Sequence, residues 1–221
     1  MPLAAARLLG ALLAVALAAC SELRSEIPRP APPLQQRSFA QGQGALRRVA
    51  ILPFAARPGQ VGAGPASALP PEQVAALVTG FVSDALASRG IPVVPASDLD
   101  QVLGEASGGV PVRDPQQAAR IAAEAFGASS LVSGSVLRYR EREGEALGAL
   151  RPASVAFEVS LHEAPTGFRL WTSRFDETQQ ALSENLFNAR RYPGGGTRWL
   201  SAAELARWGA GEVALALAAR R

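Results

Sequence analysis

From Leu46 onward the spacing of apolar residues changes repeatedly, and each change predicts a new element. Leu46 to Phe54 is a nearly continuous apolar and β-branched run centred on Val49-Ala50-Ile51-Leu52, as expected of a strand buried on both faces. Pro53 restricts it to an end or an edge. After a Gly/Pro/Ala loop to Pro70, residues Val74, Leu77, Val78, Phe81, Val82, Ala85 and Leu86 recur at helical spacing between Pro71 and Ser88, and Gly90 marks the stop. Ile91 to Pro95 predicts a short strand. Ser97 with Asp100 predicts the cap of a brief helix carrying Leu99, Val102 and Leu103. Asp114-Pro115 opens the next helix, which buries Ala118, Ile121, Ala122, Ala125 and Phe126 and ends at Gly127.

The period then falls to two. Ser130 to Tyr139 predicts a strand with Gly134 at its centre, and Arg140 to Glu145, with alternating charges, predicts an exposed hairpin end. In Ala153 to His162, Val155, Phe157, Val159 and Leu161 alternate with Ser154, Glu158, Ser160 and His162, which predicts one dry and one wetter face. Ala164-Pro165-Thr166-Gly167 turns the chain into Phe168 to Phe175, completing an antiparallel meander. Gln179 to Arg190 is expected to be helical, with Leu182, Leu186 and Phe187 inward, until Tyr192-Pro193-Gly194-Gly195-Gly196 breaks it. Ser201-Ala202-Ala203-Glu204 predicts a capping box for a last helix that packs Leu205, Trp208, Val213, Ala216 and Leu217 and is weakened at Gly209 and Gly211. The sum is an α/β (α+β) domain with a mixed sheet of about five strands, helices against it, an antiparallel meander in its C-terminal half and extra C-terminal helices.

The first 45 residues follow no such pattern. Met1 to Arg7 carries one arginine, Leu8 to Leu17 is almost wholly apolar, and small residues follow, which is the layout of a secretory signal. About ten apolar residues cannot cross a bilayer, which takes roughly twenty. Leu17-Ala18-Ala19-Cys20 resembles the lipobox of bacterial lipoproteins, and Cys20 is the chain's only cysteine. That resemblance implies cleavage after Ala19, acylation of Cys20 and, since Ser21 and not aspartate follows, an outer-membrane position facing the periplasm. Ser21 to Gly44, with Pro28, Pro30, Pro32 and Pro33, reads as a spacer. The expected organisation is a signal over 1–19, a lipidated tether over 20–45, a domain over 46–175, and a helical extension over 176–221 packing on that domain.

Composition narrows the chemistry. The chain is 48% hydrophobic, enough to fold, and its net charge is +3 with no dense basic run, so nucleic acid is not an expected partner. All 22 basic residues are arginine, and the absence of lysine excludes Schiff-base, P-loop and Ser-Lys mechanisms. The glycines at 59, 62 and 64 therefore form no phosphate loop. With Cys20 acylated no thiol is left for catalysis or zinc, and His162 is the sole histidine. A hydrolase would have to combine His162 with Ser160 and Glu158 or Glu163, without a Gly-x-Ser-x-Gly elbow. A small-ligand carrier would use a groove lined by Trp171, Tyr192, Trp199 or Trp208, residues that more often serve as core or interface anchors. No metal or cofactor is expected.

Taken together, Val49 to Phe54, the helix ending at Gly90, Phe126 to Val136, Thr166-Gly167 and Leu170-Trp171 resemble the superfamily of the curli-secretion protein CsgG, the lipoprotein LpoB and the N-terminal domain of TolB. The resemblance covers residues 46–175 and leaves 176–221 unmatched. It implies a periplasmic α/β domain without catalytic residues, acting on an envelope protein as an activator of envelope synthesis or an assembly factor. A pore, as one member of that superfamily forms, would need inserted hairpins of about 9–11 residues per strand. Neither 55–70, rich in Gly and Pro, nor 140–152, rich in charge, supplies them.

Overall fold

The computed structural model describes residues 33–39, 46–56, 69–181 and 191–220. Among the described residues nine strands run in the order β1 (Leu34–Ser38), β2 (Val49–Ile51), β3 (Ala55–Ala56), β4 (Val93–Val94), β5 (Ser130–Arg140), β6 (Glu143–Glu145), β7 (Gly148–Arg151), β8 (Ser154–Glu163) and β9 (Arg169–Thr178). The helices are α1 (Pro71–Ala87), α2 (Ala96–Ala106), α3 (Pro115–Phe126) and α4 (Ala202–Ala218), with a 3₁₀ turn at Pro193–Gly196. Seven strands form one mixed sheet, ordered β1-β9-β8-β5-β2-β4, with β3 also on β5. β4, β2, β3 and β5 are parallel where they pair, and β5, β8, β9 and β1 are antiparallel. β6 and β7 make a separate hairpin of three and four residues, far shorter than the roughly 9–11 per strand of a membrane barrel.

The α/β class and the meander are as the sequence predicts, but the sheet has seven strands instead of about five. Part of the difference is β1, which lies within the stretch expected to be tether. Of Leu34-Gln35-Gln36-Arg37-Ser38 only Leu34 is buried, so the strand has no apolar alternation to announce it. It forms by closing the outer edge of β9, where Gln36 accepts a hydrogen bond from Trp171 Nε1 at 3.3 Å.

One face of the sheet is closed by α1 and α4. Val49, Ile51, Val132, Val155, Phe157, Val159, Leu161, Trp171 and Phe175 pack there against Val74, Val78, Val82 and Leu86 of α1 and Leu205, Val213 and Leu217 of α4. Each such side chain contributes about 1.5–3 kcal/mol by leaving water. The C-terminal helix is thus part of the main core, capped as predicted by Ser201 and Glu204 in a reciprocal box. The Glu204 carboxyl is held down at about 2, chiefly by its hydrogen bond from Arg198. Gly209 lies within the unbroken span of α4. A β-carbon there would stand 2.7 Å from the Phe175 ring, so the glycine allows the helix to lie against that ring.

The other face is only half covered. α2 and α3 pack Leu99, Leu103, Ala118, Ala119 and Ala122 on Ala50, Leu52 and Leu131. α3 has the predicted ends, with Asp114 accepting from the backbone N–H groups of Gln116 and Gln117 and Gly127 in the left-handed conformation. α2 starts earlier than expected, with Pro95 at its N-cap and no side-chain cap, and Ser97 within the helix bonds Asp98 instead. Beyond α3, the same face of β8 and β9 is uncovered among the described residues. The predicted helix over 179–190 falls on 182–190, outside them, while β9 itself runs on to Thr178.

Candidate functional site

Pro53 is where the sheet's regularity fails, and a cavity forms there. Lacking an N–H, Pro53 interrupts the line of β2 before β3 resumes it. The orphaned Phe54 N–H donates to Thr79 Oγ1 at 3.0 Å, which explains a buried threonine in α1. The Phe54 ring swings over Gly134, where a β-carbon would meet it at 2.5 Å, so the mid-strand glycine serves a close approach. The gap left on the half-covered face is a cavity of about 250 Å³. Leu52, Pro53 and Ala55 form one wall, Ser133, Ser135, Glu158 and Ser160 the floor, and Asp100, Val112 and Arg113 the rim.

His162 and Ser133 meet at the inner end of this floor. His162 Nε2 lies 3.2 Å from Ser133 Oγ, and Nδ1 lies 3.3 Å from the Gly167 carbonyl oxygen. With Nδ1–H donating to that carbonyl, Nε2 is free to accept the serine proton. The sequence placed His162 on a wetter face beside Ser160. Instead it is 6% exposed, roofed where α3 and the 164–168 turn close over β8, and Ser160 donates to Thr172. Burial lowers the imidazole's affinity for a proton, assisted by Arg169 and opposed by the Gly167 hydrogen bond and by Asp114. The pair has the contact of a nucleophile and base, but the group orienting the ring is a carbonyl, not a carboxylate. Ser133 is itself 7% exposed and sits on an inner strand paired on both sides. A serine so enclosed is poorly placed to reach a substrate carbonyl.

The neutral state of His162 carries a pH signature. A histidine whose folded affinity for protons is depressed stabilises the fold above its unfolded pKa, about 6.5, and that contribution is lost as pH falls below it. Unfolding free energy is therefore expected to fall between pH 7 and pH 5, at no more than about 1.4 kcal/mol per pH unit, the limit for one proton. Since the chain has no other histidine, the slope between pH 7 and pH 6 should vanish in His162→Gln, leaving only the carboxylate contribution, from Glu204 and Asp176 among others, that sets in toward pH 5. Urea titrations across the range check this, and an equal slope in the variant would contradict it.

Beyond the cavity the open face is polar and internally paired. Arg174 binds Asp176 at 2.7 Å and Glu158 at 3.6 Å, and Arg138 also binds Asp176. Burial alone would raise the Asp176 carboxyl, but hydrogen bonds from the two arginines outweigh it and hold it below its ordinary value. Thr172, Arg174 and Asp176 alternate with the buried Trp171, Ser173 and Phe175, a period-two signal that the sequence reading did not extend to this strand's polar side. These half-exposed groups on rigid strands form a surface suited to oriented polar contacts with a partner.

The aromatic candidates are arranged differently. Trp171 is fully buried in the core and Tyr192 nearly so, its hydroxyl donating to Glu177 at 2.8 Å and accepting from the Gln180 N–H at 3.1 Å. Trp208 is half-buried, edge-on to Phe175 at 5.6 Å and Tyr192 at 5.7 Å. The half-buried Trp199 ties its backbone to the β6–β7 hairpin, its N–H donating to the Ala146 carbonyl in the connection and its carbonyl accepting from Arg142 just before β6. None of the four lines the cavity beside Pro53. Cys20 and Leu17, Ala18 and Ala19 lie outside the described residues. Among those residues no helix is long and apolar enough to cross a membrane.

No protein-family model and no curated protein matches the chain. Among solved structures it is similar to a PelC dodecamer from Paraburkholderia phytofirmans at 16% identity and a TM-score of 0.47, over 83% of this chain and 95% of that one. It is similar to the LpoB C-terminal domain from Escherichia coli at 20% identity and a TM-score of 0.41, over 63% of this chain and 88% of that one. The lipoprotein GNA1162 from Neisseria meningitidis aligns at 15% identity and a TM-score of 0.38, over 65% and 92% of the two chains. These are likenesses of chain path, and none carries a function to this chain.

Proposed function

We propose that this chain is an envelope lipoprotein, held by acyl chains on Cys20 to the periplasmic side of the outer membrane, whose α/β domain binds another envelope protein without catalysing a reaction. The observation that carries the reading is the placement of the chain's only cysteine at the end of a short apolar run, directly after Leu17-Ala18-Ala19. Two acyl chains or more, each contributing about 0.8 kcal/mol per buried methylene, make such an anchor stable. Support for a binding role comes from the open face of β8 and β9, whose charged side chains are fixed by one another while their outer surfaces stay accessible. Support for a non-catalytic role comes from the enclosure of Ser133 and His162. Activation of envelope synthesis and assembly of an envelope structure are both compatible with such a partner.

A photo-crosslinking residue placed at Thr172 in intact cells tests the binding role. A discrete protein adduct is expected, absent when the same residue stands at Ser83 on the far side of the sheet. Equal labelling from both positions, or no protein adduct from Thr172, would remove the open face as the binding surface.

A further inference from the structure

At the end of the sheet where β1 finishes and β8 turns into β9, arginines and phenylalanines gather on the surface. Phe39 continues the pairing of β1, its N–H donating to the Leu170 carbonyl at 2.9 Å, and is 42% exposed. The Arg169 guanidinium stands 4.5 Å from its ring centre and that of Arg37 5.3 Å. Phe168, adjacent to Arg169, is 66% exposed. Arg120 reaches the Thr166 carbonyl of the same turn at 3.5 Å, and Arg220 binds Ser38 at 3.1 Å. Of the nearby carboxylates, Glu163 is engaged by Thr166 and Asp114 caps α3. Neither is paired with these arginines in a salt bridge.

We infer that this patch docks on an anionic phospholipid surface. Two exposed phenylalanines, one of them under Arg37 and Arg169, with Arg120 at the adjoining turn and Arg220 at the strand end, match the two parts of a membrane interface. The rings enter the boundary between headgroups and acyl chains, and the guanidinium groups bind the phosphates. The length of chain before the patch permits it. Thirteen residues separate Cys20 from Leu34, and their contour cannot exceed about 50 Å whatever path they take. The inference rests on the lipoprotein reading for its biological setting, since an anchor at Cys20 would keep the patch within reach of lipid. The domain would then lie on the membrane with its open sheet face turned to a partner alongside, instead of standing off on a spacer.

The test uses the chain from residue 20 with Cys20→Ser, so that no acyl chain contributes. Co-sedimentation is measured with vesicles of pure phosphatidylcholine and of phosphatidylcholine with about one third phosphatidylglycerol. Binding to the anionic vesicles is expected to exceed that to the neutral ones by at least about tenfold and to fall as salt rises. Arg37→Glu with Arg169→Glu is expected to weaken it by at least about tenfold, as is Phe39→Ser with Phe168→Ser. A thermal melt of each variant checks folding, and the salt series on the unaltered surface decides the matter if a variant does not fold. Absence of binding to anionic vesicles, equal binding to both kinds, or binding indifferent to salt and to charge reversal would overturn the inference. No binding to lipid would leave the patch to an acidic protein surface. Acylation of Cys20 is untouched by any of these results, because it is read separately from the mass of the mature N-terminus.

Discussion

Phe175→Ala is expected to destabilise the domain by about 3–5 kcal/mol, a large share of the roughly 5–15 kcal/mol available to a domain of this kind. Phe175 is fully buried at the junction of β9, β8 and α4. Its ring stacks on Phe157 with centroids 5.2 Å apart, meets Trp208 edge-on at 5.6 Å, and presses on the backbone of α4 at Gly209. Truncation removes the transfer free energy of the ring and leaves a cavity that strands and helix cannot close without shifting. Phe175→Leu, which keeps most of the volume, should cost much less. Gly209→Ala should destabilise the native chain, because its β-carbon meets the ring, yet recover up to about 1 kcal/mol in the Phe175→Ala background, where helix propensity acts without the clash. Denaturant midpoints measure all four. A cost below about 1 kcal/mol for Phe175→Ala would mean that α4 does not pack on the sheet as described.

The second large effect is expected at Glu177. This carboxylate is 5% exposed and binds both Arg191 and the hydroxyl of Tyr192, joining β9 to the segment before α4. Burial pushes the Tyr192 hydroxyl up to about 12, and its hydrogen bond to Glu177 acts in the same direction. Removing one partner of a buried ion pair costs about 3–5 kcal/mol, because the other charge is left unpaired. Arg191 retains partial access to water, with 23% of its side chain exposed, so Glu177→Ala should fall near the lower end of that range. Tyr192→Phe, which spares the ion pair but takes the Gln180 N–H's acceptor, should cost about 1–1.5 kcal/mol. If the two substitutions had equal effects, the ion pair would not be what secures this junction.

What the sequence revealed follows from how far each interaction reaches along the chain. Asp114-Pro115, Gly127 and the Ser201–Glu204 box act within four residues, and all were legible. So was the alternation of Val155, Phe157, Val159 and Leu161, since the buried face of a meander imposes its period directly. β1 was hidden because it buries one residue and is held by β9, with Gln36 and Trp171 135 positions apart. His162 was read as surface because its cover comes from α3 and the following turn, which no local pattern announces. The use of Gly209 was hidden for a related reason: helix propensity predicts only a weaker helix there, whereas contact with Phe175 requires the missing β-carbon. The aromatic residues proposed for a groove illustrate the same limit. Their composition suggests a ligand wall, but Trp171 and Tyr192 spend their rings inside the core.

The proposed role depends first on whether Cys20 carries the acyl chains of an envelope lipoprotein. The direct measurement is the intact mass of the protein purified from membranes, with the N-terminal peptide sequenced. A chain beginning at Cys20 and heavier than its sequence by a diacylglyceryl group and an N-acyl group is expected. A chain still beginning at Met1, or one with an unmodified Cys20 thiol, would contradict it.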